Sequence, residues 1–168
     1  MTITQAYLKQ RLHYDPETGV FTWLPYSGHK QRWNKKHAGK IAGARMTIGY
    51  LLIRIDGQQY LAHRLAFLYM TGKFPPNQVD HKNYDRSNNS WANLRPATKQ
   101  QNMRNRKAQK NNTTGFKGVY FHRQMNKYGA RIKIGIKCKS LGLFDTAKAA
   151  SIAYANAAHI YFGEFARS

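Results

Sequence analysis

An adjacent aspartate and histidine, Asp80 and His81, are the residues best suited to chemistry in a chain with only seven acidic residues among 168. An aspartate oxygen is a hard ligand of the kind that Mg²⁺ binds, with water and phosphate completing its shell. A histidine can take a proton from water near neutral pH. The pair therefore fits metal-assisted hydrolysis of a phosphodiester, although an isolated Asp-His pair is more often an ordinary surface feature.

More polar residues follow this pair. An Asn-rich segment runs to Asn93, and Thr98-x-x-Gln101 matches the capping box, which predicts a helix beginning at Lys99. Asn102 would lie in the first turn of that helix, where its neutral amide oxygen can point back at a site formed by a preceding hairpin. Asn-rich loops are also common as plain turns, so the spacing alone leaves both interpretations open.

The charge balance indicates a polyanionic partner. The chain has 28 lysines and arginines, seven acids and a net charge of +21, and residues 1–60, 61–110 and 111–168 carry +6, +8 and +7 of it. No single tail holds the excess positive charge, so each third of the chain is suited to lie against phosphates. The affinity for such a polyanion should fall steeply as the salt concentration rises. Solubility alone needs a net charge of only about 2–8.

The composition also excludes several classes of protein. Seven acids are few for a paired-carboxylate glycosidase or an acidic calcium-binding protein, and the single cysteine, Cys138, excludes an intramolecular disulfide and a cysteine zinc ribbon. We expect no membrane span, because no apolar window of about 18 residues is present. We also expect no secretory signal. The expected location is the cytoplasm.

Residues 1–60 are predicted to form a β-rich segment. The Asp56-Gly57 dipeptide between two β-prone runs is a strong hairpin signal. The predicted elements are a helix over 3–12, a strand over 20–24, a loop with short strands over 25–47, a hairpin over 50–61 and a helix over 62–71.

The C-terminal third is predicted to hold a small sheet and one helix. Residues 104–114 are basic and poor in apolar residues, so we place a linker within them, at 107–112. Strands are expected over 116–121, 130–136 and 140–144. An alanine-rich helix is expected over 146–161, capped by Asp145 or Thr146 and followed by Gly163.

The central segment resembles the HNH (ββα-metal) nucleases, and among them the phage-type group that includes freestanding homing endonucleases. The residues that carry the resemblance are Ala62-His63-Arg64-Leu65-Ala66 and VDHKNYDRSNNSWANLRPATKQQN, over about 45 residues. The resemblance implies that His81 is the general base, that Asp80 and Asn102 are ligands of Mg²⁺ or Mn²⁺, and that Asn93 braces the loop and orients His81. Asn102 stands where many members have histidine, which favours a hard ion.

Three further residues of this segment are candidates for the site. His63 belongs to a His-Arg pair that recurs in the family ahead of the metal motif, and it is either a catalytic residue close to the phosphate or a structural residue at the start of a helix. Arg64 and Arg95 are expected to clamp phosphates, because a guanidinium matches a phosphate with two hydrogen bonds.

Residues 113–165 resemble an AP2 DNA-binding domain, in which three antiparallel strands pack on one helix and the outer face of the sheet enters the major groove. The motifs are Thr114 to Tyr120, Tyr128 to Ile132 and Leu141 to Ala147. By motif position and strand alternation, the DNA-binding candidates on this sheet are Lys117, Tyr120, His122, Arg123, Arg131 and Lys133. The alternative is a solvated basic face.

Together these observations predict an α+β protein with an N-terminal β-rich segment (1–60), an HNH core (61–106) and an AP2-like domain (113–168). The predicted function is metal-dependent endonuclease cleavage of double-stranded DNA by a monomer or weak dimer, encoded by a phage or mobile element in a bacterial host. One alternative is a non-catalytic DNA-binding regulator with a relic HNH core. Another is an RNA-binding protein that uses the 22 aromatic residues for stacking.

Overall fold

The computed structural model describes residues 3–28, 31–104 and 112–166, and the chain divides into two compact units, Met1–Thr98 and Lys99–Ser168. Both units mix helices with small sheets, and the strand pairings in these ranges are all antiparallel. Except for Asn112, the predicted linker lies outside the described residues, as do the last two residues of the predicted nuclease core. Among the described helices, none has the length and apolar character needed to cross a membrane.

Within the described residues, the first unit is built from three α-helices and seven strands. Its first helix begins after Thr4, whose hydroxyl accepts the backbone N–H of Tyr7 at 3.2 Å, as a helix N-cap does. The elements in chain order are α1 (Gln5–Arg11), β1 (Leu12–Tyr14), β2 (Phe21–Trp23), α2 (Gln31–His37), β3 (Ala44–Arg45), β4 (Leu51–Ile55), β5 (Gln58–Leu61), α3 (Ala62–Thr71), β6 (Gln78–His81) and β7 (Leu94–Ala97).

The hairpin predicted around Asp56-Gly57 is confirmed as β4 and β5. Both turn residues have positive φ, 49° and 82°, as a type I′ turn requires. The expectation of a loop with short strands over 25–47 was wrong at residues 31–37, which form α2. This helix buries none of its residues, so the sequence has no apolar periodicity there that could have indicated it.

One hydrophobic core holds the first unit together. Its buried residues run from Ile3 to Leu94 and include Leu8, Ile53 and the inner face of α3. The N-terminal segment therefore packs in the same core as the elements that carry the candidate site, and residue 60 is not a boundary between the two units.

An unusual feature of this unit is the fully buried side chain of Arg11, which is 1% exposed. Its guanidinium donates to the Asp56 carboxylate at 2.6 Å and is surrounded by aromatic rings. The ring centroids lie 4.5–5.8 Å from the guanidinium carbon and belong to Tyr7, Trp23, Tyr26 and Trp33. The ion pair and the rings compensate the loss of hydration that burying this cation entails.

In the described part of the second unit, a short first helix is followed by one sheet packed on one long helix. Its elements are α4 (Lys99–Arg104), β8 (Val119–His122), β9 (Lys127–Ile134), β10 (Lys137–Phe144) and α5 (Ala147–Phe162). The strand order is β10-β9-β8. The predicted helices beginning near Lys99 and Thr146 are confirmed, and the Thr146 hydroxyl accepts the N–H of Ala149 at 3.1 Å.

Small residues bring α5 close to the sheet. Ala150, Ala157 and Ala158 are buried against the inner side chains of β8 and β9. Gly118 precedes β8 with φ 74°, and a Cβ there would lie 2.2 Å from the Tyr154 ring. Only a residue without a side chain fits this position, because both the backbone conformation and the close approach exclude one.

Candidate active site

The candidate active site is carried by the antiparallel ribbon of β6 and β7. In its register Asp80 lies directly opposite Arg95, and His81 lies opposite Leu94. The side chains of Asp80 and His81 are each 4% exposed. Strand β6 therefore carries two buried polar side chains at adjacent positions.

Asp80 forms a buried ion pair with Arg95. The Nε and Nη2 groups of Arg95 donate to the same carboxylate oxygen, Oδ2, at 2.9 and 2.7 Å. Arg95 is 8% exposed, so its charge is buried with that of its partner. Charge-assisted bonds of this kind fix the orientation of a carboxylate. The cross-strand pairing thus holds Asp80 in place within the first unit.

His81 is held in a neutral state. Burial lowers its pKa, and this effect outweighs the Asn89 hydrogen bond and the nearby carboxylates of Asp80 and Asp85, which raise it. The Asn89 amide nitrogen donates to the Ser87 carbonyl at 3.0 Å, which turns its Oδ1 toward His81 Nε2 at 3.4 Å. In this hydrogen-bond network the proton lies on Nε2, which leaves the lone pair of Nδ1 as the basic one.

Two more rings pack against His81. The imidazole of His63 meets it edge to face with centroids 5.2 Å apart. The Tyr50 ring lies 5.1 Å from His63 and 5.9 Å from His81. His63 comes from the first turn of α3, and its buried Nδ1 has no hydrogen-bond partner among the described residues. We call these three residues the Tyr50–His63–His81 cluster.

Burial of His63 predicts a pH-dependent stability. Desolvation, with smaller contributions from His81 and Arg64, lowers its pKa from 6.5 to about 3. Below pH 6.5 the unfolded chain takes up a proton here that the folded protein does not, so the free energy of unfolding should fall as the pH falls. We expect urea titrations from about pH 6.5 to 4.5, above the range in which most carboxylates titrate, to show this decline.

The decline should be smaller in His63→Phe, which removes the titrating group. It should not vanish, because the lowered pKa of His81 acts with the same sign. An equal pH dependence in wild type and His63→Phe would contradict the assignment.

The loop between β6 and β7 is braced by Asn93. Its Oδ1 accepts the backbone N–H of Asn83 at 2.9 Å, and its Nδ2 donates to the Asn88 carbonyl at 2.7 Å. The side-chain amide within hydrogen-bond distance of His81 Nε2 is that of Asn89, at 3.4 Å. The sequence offers no signal that distinguishes Asn89 from Asn93, because the two residues belong to the same Asn-rich segment.

The two arginines expected to clamp phosphates have protein partners. Arg64 donates to the carbonyls of Asn77 and Pro75 at 3.0 and 3.3 Å, and its guanidinium lies 5.7 Å from the Phe74 ring. It thereby braces the segment that leads into β6. Arg95 is engaged with Asp80 as described above.

The β6–β7 ribbon offers one carboxylate, that of Asp80, as a ligand for a metal ion. The described residues contain no group of three or more His, Cys, Asp or Glu side chains that could hold a metal. Mg²⁺ is commonly held by one or two carboxylates, with water and substrate phosphates as its other ligands. Asp80 fits this modest requirement. Asn102, the other predicted ligand, lies in α4, the first element of the second unit.

The second unit carries six of the eight predicted DNA-binding residues, and four of them, Tyr120, His122, Arg131 and Lys133, lie on strands of its sheet. Arg131 and Lys133 alternate with the buried Ile132 on β9, so both side chains project from the face of the sheet opposite α5. The Arg131 guanidinium lies 5.2 Å from the Tyr120 ring centroid. That ring crosses Gly129, where a Cβ would lie 2.3 Å from it.

The remaining candidates of this unit lie around the sheet. Lys117 donates to the Arg104 carbonyl. The Nδ1 of His122 is buried, and no residue in the part of the chain that the structure describes forms a hydrogen bond with it. Arg123 is exposed in a 3₁₀ turn after β8.

Comparisons with known proteins concern mainly the central segment. Residues 60–104, from the end of β5 through α4, match a family model described as HNH endonuclease. No curated protein matches the chain. A solved structure described as "DNA binding and cleavage by the HNH homing endonuclease I-HmuI" is 25% identical over 56% of this chain, with a TM-score of 0.41. The match covers 51% of that chain, so the present chain spans about half of its length.

Proposed function

We propose that this chain, which contains an HNH endonuclease domain at residues 60–104, is a divalent-metal-dependent endonuclease that hydrolyses phosphodiester bonds of double-stranded DNA. One observation carries the proposal: within the matched domain, a neutral, buried His81 adjoins Asp80 on one strand. The net charge of +21, spread over the whole chain, supports a polyanionic substrate.

In this proposal His81 is the general base. Its lowered pKa keeps the imidazole neutral at pH 7, and only the neutral form can accept a proton from water. The Asn89 contact at Nε2 holds the tautomer in which Nδ1 accepts that proton. His63 and Tyr50 fix the ring by packing, and Asn93 keeps the surrounding loop in shape.

Asp80 and Asn102 are the proposed ligands of Mg²⁺ or Mn²⁺. When bound, such an ion stabilises the charge that develops on the scissile phosphate and the leaving oxygen. Arg95 sets the direction of the Asp80 carboxylate through its two hydrogen bonds. One such centre per chain predicts a nick in one strand, unless two chains act together.

The sheet of the second unit is proposed to bind duplex DNA in the manner of an AP2 domain. The Tyr120 ring lies over Gly129 and within cation–π distance of the Arg131 guanidinium, so the guanidinium is held in place on the exposed face. A guanidinium held this way can donate two hydrogen bonds to a guanine edge in the major groove. Lys117, His122, Arg123 and Lys133 complete the proposed binding set.

Arg131→Ala should weaken binding of duplex DNA without abolishing nonspecific nicking at high protein concentration. Loss of one good base contact costs about 1–3 kcal/mol, which corresponds to a rise in Kd of about 5- to 150-fold. Fluorescence anisotropy with a labelled duplex measures it. Lys148→Ala, which removes an exposed cation of α5, is the matched control. Equal affinity of Arg131→Ala and wild type would remove this residue from the interface.

The experiment that tests the nuclease proposal is a plasmid assay. Supercoiled DNA is incubated with the protein and Mg²⁺, Mn²⁺ or EDTA, and conversion to the nicked form is followed on a gel. We expect nicking with a divalent ion and none with EDTA. Binding of duplex DNA without nicking under any divalent ion would reject the proposal.

A non-catalytic DNA-binding regulator is the second candidate function. One observation favours it: the Asp80 carboxylate is paired with Arg95, which gives this aspartate a structural role that needs no metal. The same plasmid assay separates the two functions, because only the endonuclease converts the supercoiled form.

A further inference from the structure

An exposed arginine lies at the edge of the Tyr50–His63–His81 cluster. Arg86 belongs to the loop between β6 and β7, and its guanidinium carbon lies 4.9 Å from the Tyr50 ring centroid. The same ring lies 5.9 Å from the His81 imidazole. One aromatic ring therefore separates an exposed guanidinium from the proposed general base.

The turn that precedes β4 holds the Arg86 side chain. A Cβ on Gly49 would lie 3.7 Å from Arg86 Cβ and 3.8 Å from its Cδ, so the aliphatic stem crosses this glycine. Nη1 of Arg86 donates to the Ile48 carbonyl at 3.0 Å. The turn is itself fixed, because the Met46 N–H donates to the Tyr50 carbonyl at 2.8 Å. A side chain ordered in advance loses less conformational entropy when it binds a ligand.

The other N–H groups of Arg86 are available to a ligand. A guanidinium has five N–H donors, and within the described residues Arg86 makes a single hydrogen bond. The neighbouring Asp85 forms no ion pair with Arg86 within the described residues; its Oδ1 accepts the N–H and the hydroxyl of Ser87, at 2.9 and 2.6 Å. Arg86 thus differs from Arg64, which donates to two carbonyls, and from Arg95, which donates twice to a buried carboxylate.

We propose that Arg86 is a phosphate-binding residue of the candidate active site, held by the Tyr50 ring so that it binds a backbone phosphate of the DNA strand lying at His81. A guanidinium suits this ligand because its planar fork matches two phosphate oxygens. The inference rests on the proposed nuclease function and adds to it a residue positioned by the N-terminal part of the chain, which supplies Ile48, Gly49 and Tyr50.

The test uses the full chain with Arg86→Ala and Arg86→Lys. Arg54→Ala is the matched control, because Arg54 is an exposed arginine on β4 of the same unit. Duplex binding is measured by anisotropy from low to high salt in EDTA, so that no metal is needed. Nicking is measured in Mn²⁺ with protein in excess over plasmid.

We expect the slope of log K against log salt to decrease in magnitude by about 0.9 in Arg86→Ala, the value for one lost phosphate contact. Nicking should slow by about tenfold or more, as expected when a positioned charge near the reacting group is removed. Arg86→Lys should keep the wild-type slope but nick more slowly than wild type, because an ammonium neither forms the fork nor stacks equally well on Tyr50.

Three results would overturn the inference. The first is an unchanged salt slope in Arg86→Ala protein that remains folded, which would mean that Arg86 only braces the turn. The second is a reduced slope with wild-type nicking, which would mean that the contacted phosphate lies away from the cleaved bond. The third is an equal decrease of the salt slope and of the nicking rate in Arg54→Ala, which would reveal a general effect of surface charge. If wild type itself fails to nick, the nuclease proposal fails, and the metal-free slope still decides whether Arg86 contacts a phosphate.

Discussion

Replacing His81 with alanine is expected to slow plasmid nicking by about 10²- to 10⁴-fold, the usual contribution of a general base. Duplex binding should change little, because the imidazole is buried and carries no charge at pH 7. The rate is measured with Mn²⁺ at saturating protein, and binding is measured in EDTA. Loss of rate without loss of affinity would identify a role in the chemical step.

The matched control is His13→Ala. His13 is an exposed histidine on β1 of the same unit, and the His13→Ala variant should nick DNA at the wild-type rate. A change in the melting temperature of His81→Ala must also be checked, since the ring packs against His63 and Tyr50. Wild-type nicking by folded His81→Ala would remove His81 from the mechanism, even if the protein were a nuclease.

Arg95→Met is expected to lower the free energy of unfolding by about 3–5 kcal/mol, because it leaves the Asp80 carboxylate buried without its partner. Asp80 is 4% exposed and Arg95 8%, so little solvent screens the charge that remains. Urea denaturation at pH 7 measures the loss. Total stabilities of about 5–15 kcal/mol are typical, which makes this a large fraction of the whole.

The double variant Asp80→Asn/Arg95→Met provides the comparison, because it leaves no unpaired charge in the ribbon. It should recover part of the loss, and the two substitutions should therefore not be additive. Arg54→Met removes an exposed strand arginine and should change stability by less than about 0.5 kcal/mol. A loss below about 1 kcal/mol in Arg95→Met would mean that the Asp80–Arg95 pair behaves like an exposed one.

Local signals predicted much of the fold because the chemistry of a turn or a cap lies within a few residues. Asp56-Gly57 defines a hairpin by the positive φ that both residues adopt, and Thr146 defines a helix start by its side-chain hydrogen bond. A hairpin ahead of Asn102 was expected, but the register of the β6–β7 ribbon, with Asp80 opposite Arg95, was not predicted. Its strands are separated by a long Asn-rich loop, which has no turn signal that fixes a register.

The surroundings of the candidate base were also beyond the sequence. Tyr50 lies 31 positions before His81 and reaches it only because β4, α3 and β6 share one core. The same holds for Arg86, whose stacking partner comes from that distant turn. The match between a guanidinium and a phosphate favoured Arg64 and Arg95 as phosphate ligands. The sequence carries no information on the carbonyl and carboxylate groups that these arginines meet in the fold.

The aromatic rings around Arg11 give the protein an intrinsic optical label. All three tryptophans, at positions 23, 33 and 91, belong to the first unit, and two of them flank the buried guanidinium. Tryptophan emission therefore reports on that unit alone, while the second unit has only tyrosine as a fluorophore. Tyrosine absorbs little near the red edge of the tryptophan absorption band. Emission excited there would therefore follow the unfolding of the first unit within the intact chain, without any added dye.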